Sequence, residues 1–141
     1  MMDQFYNWLA QNNLSEAFTT SAGDSLYVNR EKMFGVIYKM GELGAHSFYF
    51  DDIVECKMYD DNHLIADWSS TAPWQLYNRS TRHSTKQLYM NIRFKDNHSL
   101  RLQIFRSTNG NVIRGSLTHI NLLNYGCQIA QILYNCCVNC Q

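Results

Sequence analysis

The chain has little proline and no long apolar run. Among its 141 residues there is one proline, Pro73, and no segment reaches the roughly 18 apolar residues that a membrane-spanning helix needs. The amino terminus lacks the basic region and apolar stretch of a signal peptide, so we expect a cytoplasmic protein. The common sequence motifs for phosphate binding, dinucleotide binding, serine hydrolysis and zinc proteolysis are also missing. These absences argue against an enzyme.

The cysteines are odd in number: Cys56, Cys127, Cys136, Cys137 and Cys140. An odd count without an export signal favours reduced thiols over a disulfide framework. The last three lie at helical spacing, and thiolates on one helix face could bind a soft metal. Because no second Cys-x-x-Cys pair supplies further ligands, we predict thiols that are buried or at a frayed helix end, no metal site and no cofactor.

The composition is that of one globular domain spanning residues 1–141. The chain is 45% hydrophobic, 17% charged and 13% aromatic, which argues against disorder. A chain of this length can bury a core without metal or disulfide help. The sequence therefore predicts a compact fold that requires no cofactor for stability.

Apolar and polar residues alternate in several short segments, as they do in half-buried strands. In the clearest segment, 88–95, the even-numbered apolar residues face inward, while Tyr89, Arg93 and Lys95 face outward. A turn at 96–98 joins it to a second strand at 99–105 to form a hairpin. Residues 69–85 are predicted as a loop and 14–24 as a connection. The other predicted strands are 26–28, 34–38, 47–50, 53–59 and 63–68.

Two segments have helical periodicity. A short amphipathic helix is predicted at about 3–12, where Phe5, Trp8 and Leu9 share one side, and a long helix is predicted at 116–138. The apolar stripe of the long helix is wider than about 100°. We expect the amino-terminal helix or a second subunit to cover its extra width, which makes a homodimer one alternative. The predicted fold is α+β, with a curved antiparallel sheet capped by the long C-terminal helix.

Three parts of the chain carry a resemblance to a known family. They are the stretch 48–55 with its acidic turn, the hairpin around Lys95, Asp96 and Asn97, and the ending at 126–133. Together they resemble bacterial pleckstrin-homology-like (PH-like) domains of unknown function, over residues 25–137. The resemblance implies a split barrel, formed by a bent antiparallel sheet and capped by a C-terminal helix, that acts as a binding or scaffolding module.

Charge is balanced overall but unevenly distributed. Residues 1–67 hold 11 acids and 4 bases, a net of −7, whereas residues 79–114 hold 8 bases and the single acid Asp96, a net of +7. Opposite charges on adjacent strands could neutralise each other across the sheet. Alternatively, a basic face could attract phosphate or an acidic partner. The sequence leaves both interpretations open.

The main functional hypothesis is a non-catalytic protein-binding or scaffolding module. The alternative is a binder of nucleic acid, nucleotide or a phosphorylated ligand, including an inhibitor encoded by a phage or mobile element. Cations around an exposed aromatic ring suit such ligands. The candidate residues on the hairpin and in the preceding loop are Tyr89, Arg93, Lys95, Arg101, Arg79, Arg82 and Lys86.

Other ionisable residues carry weaker signals. The acidic pairs at 51–52 and 60–61 flank one predicted strand, roughly 25 to 30 Å apart at about 3.3 Å per residue, so they cannot share one site. We predict that both pairs are solvated turn residues. His63 and His98 fall in predicted turns and are expected at the surface, and no histidine is predicted to be catalytic.

Overall fold

Two antiparallel sheets and two helices account for most of the chain. The computed structural model describes residues 2–14, 16–39, 45–77, 84–107 and 112–139. The helices are α1 (Met2–Gln11) and α2 (Leu117–Asn139), and a 3₁₀ turn (Phe50–Asp52) follows the fourth strand. The strands are β1 (Glu16–Thr19), β2 (Ser25–Asn29), β3 (Phe34–Tyr38), β4 (Ala45–Tyr49), β5 (Ile53–Asp60), β6 (His63–Ser69), β7 (Ala72–Leu76), β8 (Ser84–Thr85), β9 (Gln87–Phe94), β10 (Ser99–Arg106) and β11 (Val112–Ile113).

The first four strands form a meander in the order β1-β2-β3-β4. The second sheet has the order β10-β9-β5-β6-β7, so β5 joins two hairpins that are separated in the chain. A two-stranded pair, β8 with β11, completes the strand pairing of the described residues. Every pairing is antiparallel, and neither large sheet closes on itself. The α+β class and the two predicted helices are confirmed.

Local chemistry fixes the β9–β10 hairpin where the sequence predicts it. Asn97 has a positive φ of 71°, a conformation that asparagine tolerates better than most residues. The Asp96 carboxylate accepts a hydrogen bond from the His98 backbone N–H, which closes the turn. The register then pairs Ser99 with Arg93 and continues along both strands.

Helix α2 begins after Ser116, whose Oγ accepts a hydrogen bond from the His119 backbone N–H at 3.2 Å. This is the usual position of a helix N-cap. The helix buries one side against the main core through Ile129, Ala130 and Leu133. No helix within the described ranges has the length and apolar character needed to cross a membrane.

The short helix α1 docks on the first sheet, as its amphipathic pattern predicts. Leu9 and Leu14 pack with Val36 of β3 in a small cluster beside the main core. The Leu14 backbone N–H also bonds to the Leu9 carbonyl at 2.9 Å, which ends the helix in a compact turn. The amino-terminal segment is thereby tied to the meander.

Two predictions about irregular segments were wrong. The connection predicted at 14–24 contains β1, and the loop predicted at 69–85 contains β7 and β8. Both β1 and β7 are edge strands, paired on one side only within the described residues. Edge strands have little buried surface, so their apolar alternation is weak. The long proline-containing segment nevertheless extends the second sheet by one strand.

Candidate binding surfaces

The predicted basic face of the β9–β10 hairpin is partly neutralised by a neighbouring strand. Arg93 donates from Nε to Glu55 Oε1 at 2.8 Å, and the two residues are cross-strand partners on β9 and β5. Lys57 Nζ lies 3.9 Å from the same carboxylate oxygen. The interpretation in which opposite charges on adjacent strands neutralise each other is therefore confirmed for Arg93.

Tyr89 is buried, so the prediction of an exposed aromatic ring on this face was wrong. The residue is only 8% exposed. Its ring stacks on that of Tyr59, its direct partner on β5, with 5.1 Å between centroids. Arg101 lies diagonally across from it on β10, and Arg101 Cζ is 3.9 Å from the ring centroid. The cation thus covers the aromatic ring, and a ligand would have to displace it.

The remaining predicted cations do not converge. Lys86 and Lys95 are exposed at opposite ends of β9, roughly 30 Å apart at about 3.3 Å per residue. Arg79 and Arg82 lie outside the described residues. The five predicted residues that the structure describes are therefore spread along the hairpin and do not surround a common site.

Asp60 belongs to a buried ion pair, which corrects the prediction that it is a solvated turn residue. Arg114 donates to both of its oxygens, from Nε at 2.8 Å and from Nη2 at 2.7 Å, and the Thr85 hydroxyl donates a further hydrogen bond. Burial acts to raise the pKa of Asp60, but the hydrogen bonds from Arg114 and Thr85 and the nearby positive charge outweigh it and lower the pKa. The carboxylate is held in its charged form.

His119 is also buried in this cluster, and both of its ring nitrogens face protein groups. Nδ1 accepts a hydrogen bond from the Gly115 backbone N–H at 3.1 Å, so a neutral ring carries its hydrogen on Nε2. Nε2 lies 3.4 Å from Asp60 Oδ2, without forming a hydrogen bond. This placement gives His119 a structural role at the start of α2.

A cleft of about 660 Å³ lies between the end of α1, the β3–β4 hairpin and the β9–β10 turn. We call it the aromatic cleft, because five aromatic rings and a histidine line it. Phe48 packs against Phe94 with 5.2 Å between ring centroids, and Phe94 stacks on His98 at 4.6 Å. Its lining residues are Trp8, Asn12, Lys32, Phe34, Ser47, Phe48, Tyr49, Asp52, Phe94, Lys95, Asp96 and His98.

The sequence does not predict the aromatic cleft, because its walls come from four separate parts of the chain. Of its residues, only Lys95 was a candidate. Lys95 and Lys32 form no ion pair within the described part of the chain, whereas Asp96 is bonded by the ring and the backbone N–H of His98. These hydrogen bonds lower the pKa of Asp96. Trp8 and Tyr49, at the rim, are 39% and 62% exposed.

A second surface combines the β7 edge with the first turns of α2. Leu76, Tyr77 and Ile120 line one shallow cleft of about 170 Å³. Leu117 lies one turn earlier on α2, and Ile113 ends β11, four residues before Leu117. All five side chains are exposed, and Leu76 and Leu117 reach 69% and 74%. We call Leu76, Tyr77, Leu117 and Ile120 the β7–α2 apolar patch.

The C-terminal cysteines that the structure describes are core residues. Cys136 and Cys137 are buried, whereas Cys140 lies outside the described residues. Burial raises the pKa of both Cys56 and Cys127, so their thiols remain protonated at neutral pH. Across the described ranges, no group of three or more His, Cys, Asp or Glu side chains is arranged to hold a metal ion.

Comparison with known proteins identifies no relative of this chain. The chain matches no protein-family model, no curated protein and no solved structure. The case for a function therefore depends on the surfaces described above.

Proposed function

We propose that the protein is a non-catalytic protein-binding module, with the β7–α2 apolar patch as its binding surface. The observation that carries this proposal is the exposure of Leu76, Tyr77 and Ile120 around one shallow cleft, with Leu117 exposed one turn earlier on α2. Monomeric proteins rarely leave contiguous apolar surface of more than a few hundred Å² uncovered, and larger patches commonly mark interaction sites. Burying Leu76 and Leu117 against a partner would remove this surface from water.

The partner in this proposal is an extended, apolar segment of another protein. Strand β7 is the last strand of its sheet and pairs only with β6 among the described strands. An open edge offers backbone N–H and C=O groups to an incoming strand. Pro73 removes one donor near the start of β7, so the end of β7 at Leu76 is the better place for pairing. Apolar side chains of the added strand would cover Tyr77 and Ile120.

The proposal includes the PH-like scaffold that the sequence resembles over residues 25–137. Its support is the order of elements, in which an antiparallel meander is followed by a second antiparallel sheet and then by a C-terminal helix that packs on the second sheet. In this scheme the scaffold positions the edge strand β7 and the start of α2 side by side.

The test is quantitative affinity capture from a lysate, followed by reconstitution with the captured protein. Leu76→Asp places a charge in the patch at an exposed position, so the fold should survive. The matched control is Asn135→Asp, which adds the same charge at an exposed position late in α2. We expect a protein that is captured by the wild type and by Asn135→Asp but lost with Leu76→Asp. The purified partner should then bind with an affinity reduced at least about tenfold by the Leu76 variant.

Two outcomes would contradict the proposal. If the same proteins are captured equally by the wild type and Leu76→Asp, the patch is not the binding surface. If the wild type sediments as a dimer that Leu76→Asp converts to monomers, the patch serves self-association. Circular dichroism spectra of both variants should match the wild type, which shows that lost binding is not lost folding.

A further inference from the structure

The aromatic cleft is a second candidate site, separate from the β7–α2 apolar patch. The two surfaces share no lining residue. The volume of about 660 Å³ falls within the range of about 300 to 1,000 Å³ that is usual for small-molecule sites. The patch was assigned to a protein partner because it is apolar. The cleft combines aromatic rings with charged groups, which suits a different ligand.

The rim of the cleft offers aromatic surface to a planar group. Trp8 at the end of α1 and Tyr49 at the end of β4 remain substantially exposed, although both line the cleft. Phe94, which is buried, and His98, which is exposed, are already stacked on each other with an interplanar angle of 17°. A planar ring entering the cleft could stack on the rim residues, as bases stack on exposed aromatic side chains in single-strand-binding proteins.

The charged groups of the cleft supply two further contacts. Lys32 and Lys95 both line the cleft and have no carboxylate partner among the described residues, so both are available for an anion. Asp96 also lines the cleft, but both hydrogen bonds from His98 go to its Oδ1, and it forms no ion pair with either lysine among the described residues. Asp52 is exposed at the cleft and could accept a hydrogen bond from an exocyclic amino group, as carboxylates do with cytosine.

We propose that the aromatic cleft binds a nucleobase that carries phosphate. The base stacks on Trp8 and Tyr49, the phosphate contacts Lys32 and Lys95, and Asp52 favours bases with an exocyclic amino group. This chemistry is shared by a free nucleotide and by one unit of a single-stranded nucleic acid. It also moves the predicted phosphate contact away from the hairpin face, where Arg93 and Arg101 are engaged, and retains only Lys95 from that set.

Isothermal titration calorimetry on the full chain tests the proposal with AMP and with single-stranded oligo(dA). We expect wild-type protein to bind at least one of these probes. Lys32→Gln and Lys95→Gln should each weaken binding about tenfold, the loss expected for one charge-assisted hydrogen bond. The matched control is Lys86→Gln, which removes an exposed lysine at the other end of β9 and should leave affinity unchanged.

The two probes distinguish the source of the ligand. Comparable affinity for AMP and oligo(dA) would indicate a free nucleotide, whereas much tighter oligo(dA) binding that weakens steeply with salt would indicate single-stranded nucleic acid. Failure of the wild type to bind either probe overturns the proposal. It is also overturned if Lys86→Gln weakens binding as much as Lys95→Gln, because the attraction is then general. Neither result bears on the apolar patch, because none of the patch residues lines the cleft.

Discussion

Arg114 and Asp60, which are 54 positions apart in the chain, form a bidentate ion pair. Their side chains are 8% and 4% exposed, so the pair is almost fully removed from water. Asp60 ends β5, and Arg114 lies between β11 and α2. The pair therefore fastens the start of the C-terminal helix to the middle strand of the second sheet.

Removing one partner of this pair should be costly. Asp60→Asn removes the bidentate partner of the buried Arg114 guanidinium and leaves it only the longer contact to Asp61 Oδ2, at 3.4 Å. Breaking a buried pair in this way typically costs about 3 to 5 kcal/mol. We expect a loss of this size in the free energy of unfolding, measured by urea denaturation. Asp51→Asn, at an exposed position in the 3₁₀ turn, is the control and should change stability by less than about 0.5 kcal/mol. Equal stabilities of the two variants would contradict the assignment.

The same pair should make stability depend on acid pH. Because the pKa of Asp60 is lowered in the folded protein, its charged form stabilises the fold at neutral pH. This contribution is complete above the ordinary aspartate pKa of about 4 and is lost as the pH falls through the lower folded value. Urea denaturation measured from pH 7 downward should show a loss of stability below about pH 4. In Asp60→Asn this acid-induced loss should be smaller. If stability depends on pH in the same way in the wild type and the variant, Asp60 is not the cause of the loss at acid pH.

Gly126 sets how closely α2 approaches the sheet. A Cβ atom at this position would lie 2.9 Å from Met58 Sδ. We expect Gly126→Ala to change stability by less than about 1 kcal/mol, because the flexible thioether can move and alanine favours the helix. Gly126→Leu should cost about 1 to 3 kcal/mol or more, because the larger side chain overpacks the core.

Thermal unfolding of the Gly126 variants provides the measurement, and Gln128→Leu is the control on the exposed side of α2. The control should unfold at nearly the wild-type temperature. If Gly126→Leu does so too, the helix is not packed as closely on Met58 as described.

Leu133 tests the buried side of α2 by charge. The residue is fully buried, so Leu133→Asp places an unpaired carboxylate in the core and should cost several kcal/mol. Gln131→Asp adds the same charge on the exposed side, two residues away, and should be nearly neutral. Chemical denaturation of both proteins measures the difference. Similar midpoints would mean that the helix is rotated relative to the structure.

Thiol accessibility tests the burial of the cysteines. In native protein we expect iodoacetamide to label Cys127 slowly and to leave Cys56 unmodified, because burial raises the pKa of each and Cys56 is fully enclosed. Cys136 and Cys137 should also be protected until the protein unfolds. Peptide mass mapping after timed labelling gives the order. Rapid labelling of native Cys56 would show that the core between β5 and α2 is open.

The sequence predicts elements better than it predicts surfaces. The 116–138 helix and the β9–β10 hairpin are placed within one residue or so, because each has strong periodicity and a clear turn or cap. Strand β7 was missed because only one side of it is paired and its residues are mostly exposed. Periodicity reports burial, so it fails where an element is barely buried.

Long-range contacts explain the other differences. The direction in which Tyr89 points follows from alternation, but its burial depends on Tyr59 and Arg101 from neighbouring strands. Likewise, nothing in the spacing of Asp60 and Arg114 indicates that they meet. The aromatic cleft was not predicted for the same reason, because its residues converge only when both sheets are assembled.

Trp68 bonds the middle of α2 to the second sheet. Its indole Nε1 donates to the Ala130 carbonyl at 3.1 Å, and its ring packs edge-on against Tyr134 at 5.4 Å. The other two tryptophans, Trp8 and Trp74, are more exposed. A variant that keeps Trp68 as its only tryptophan would therefore have an intrinsic fluorescent probe. The wavelength of its emission would report whether α2 is packed on the sheet or has separated from it.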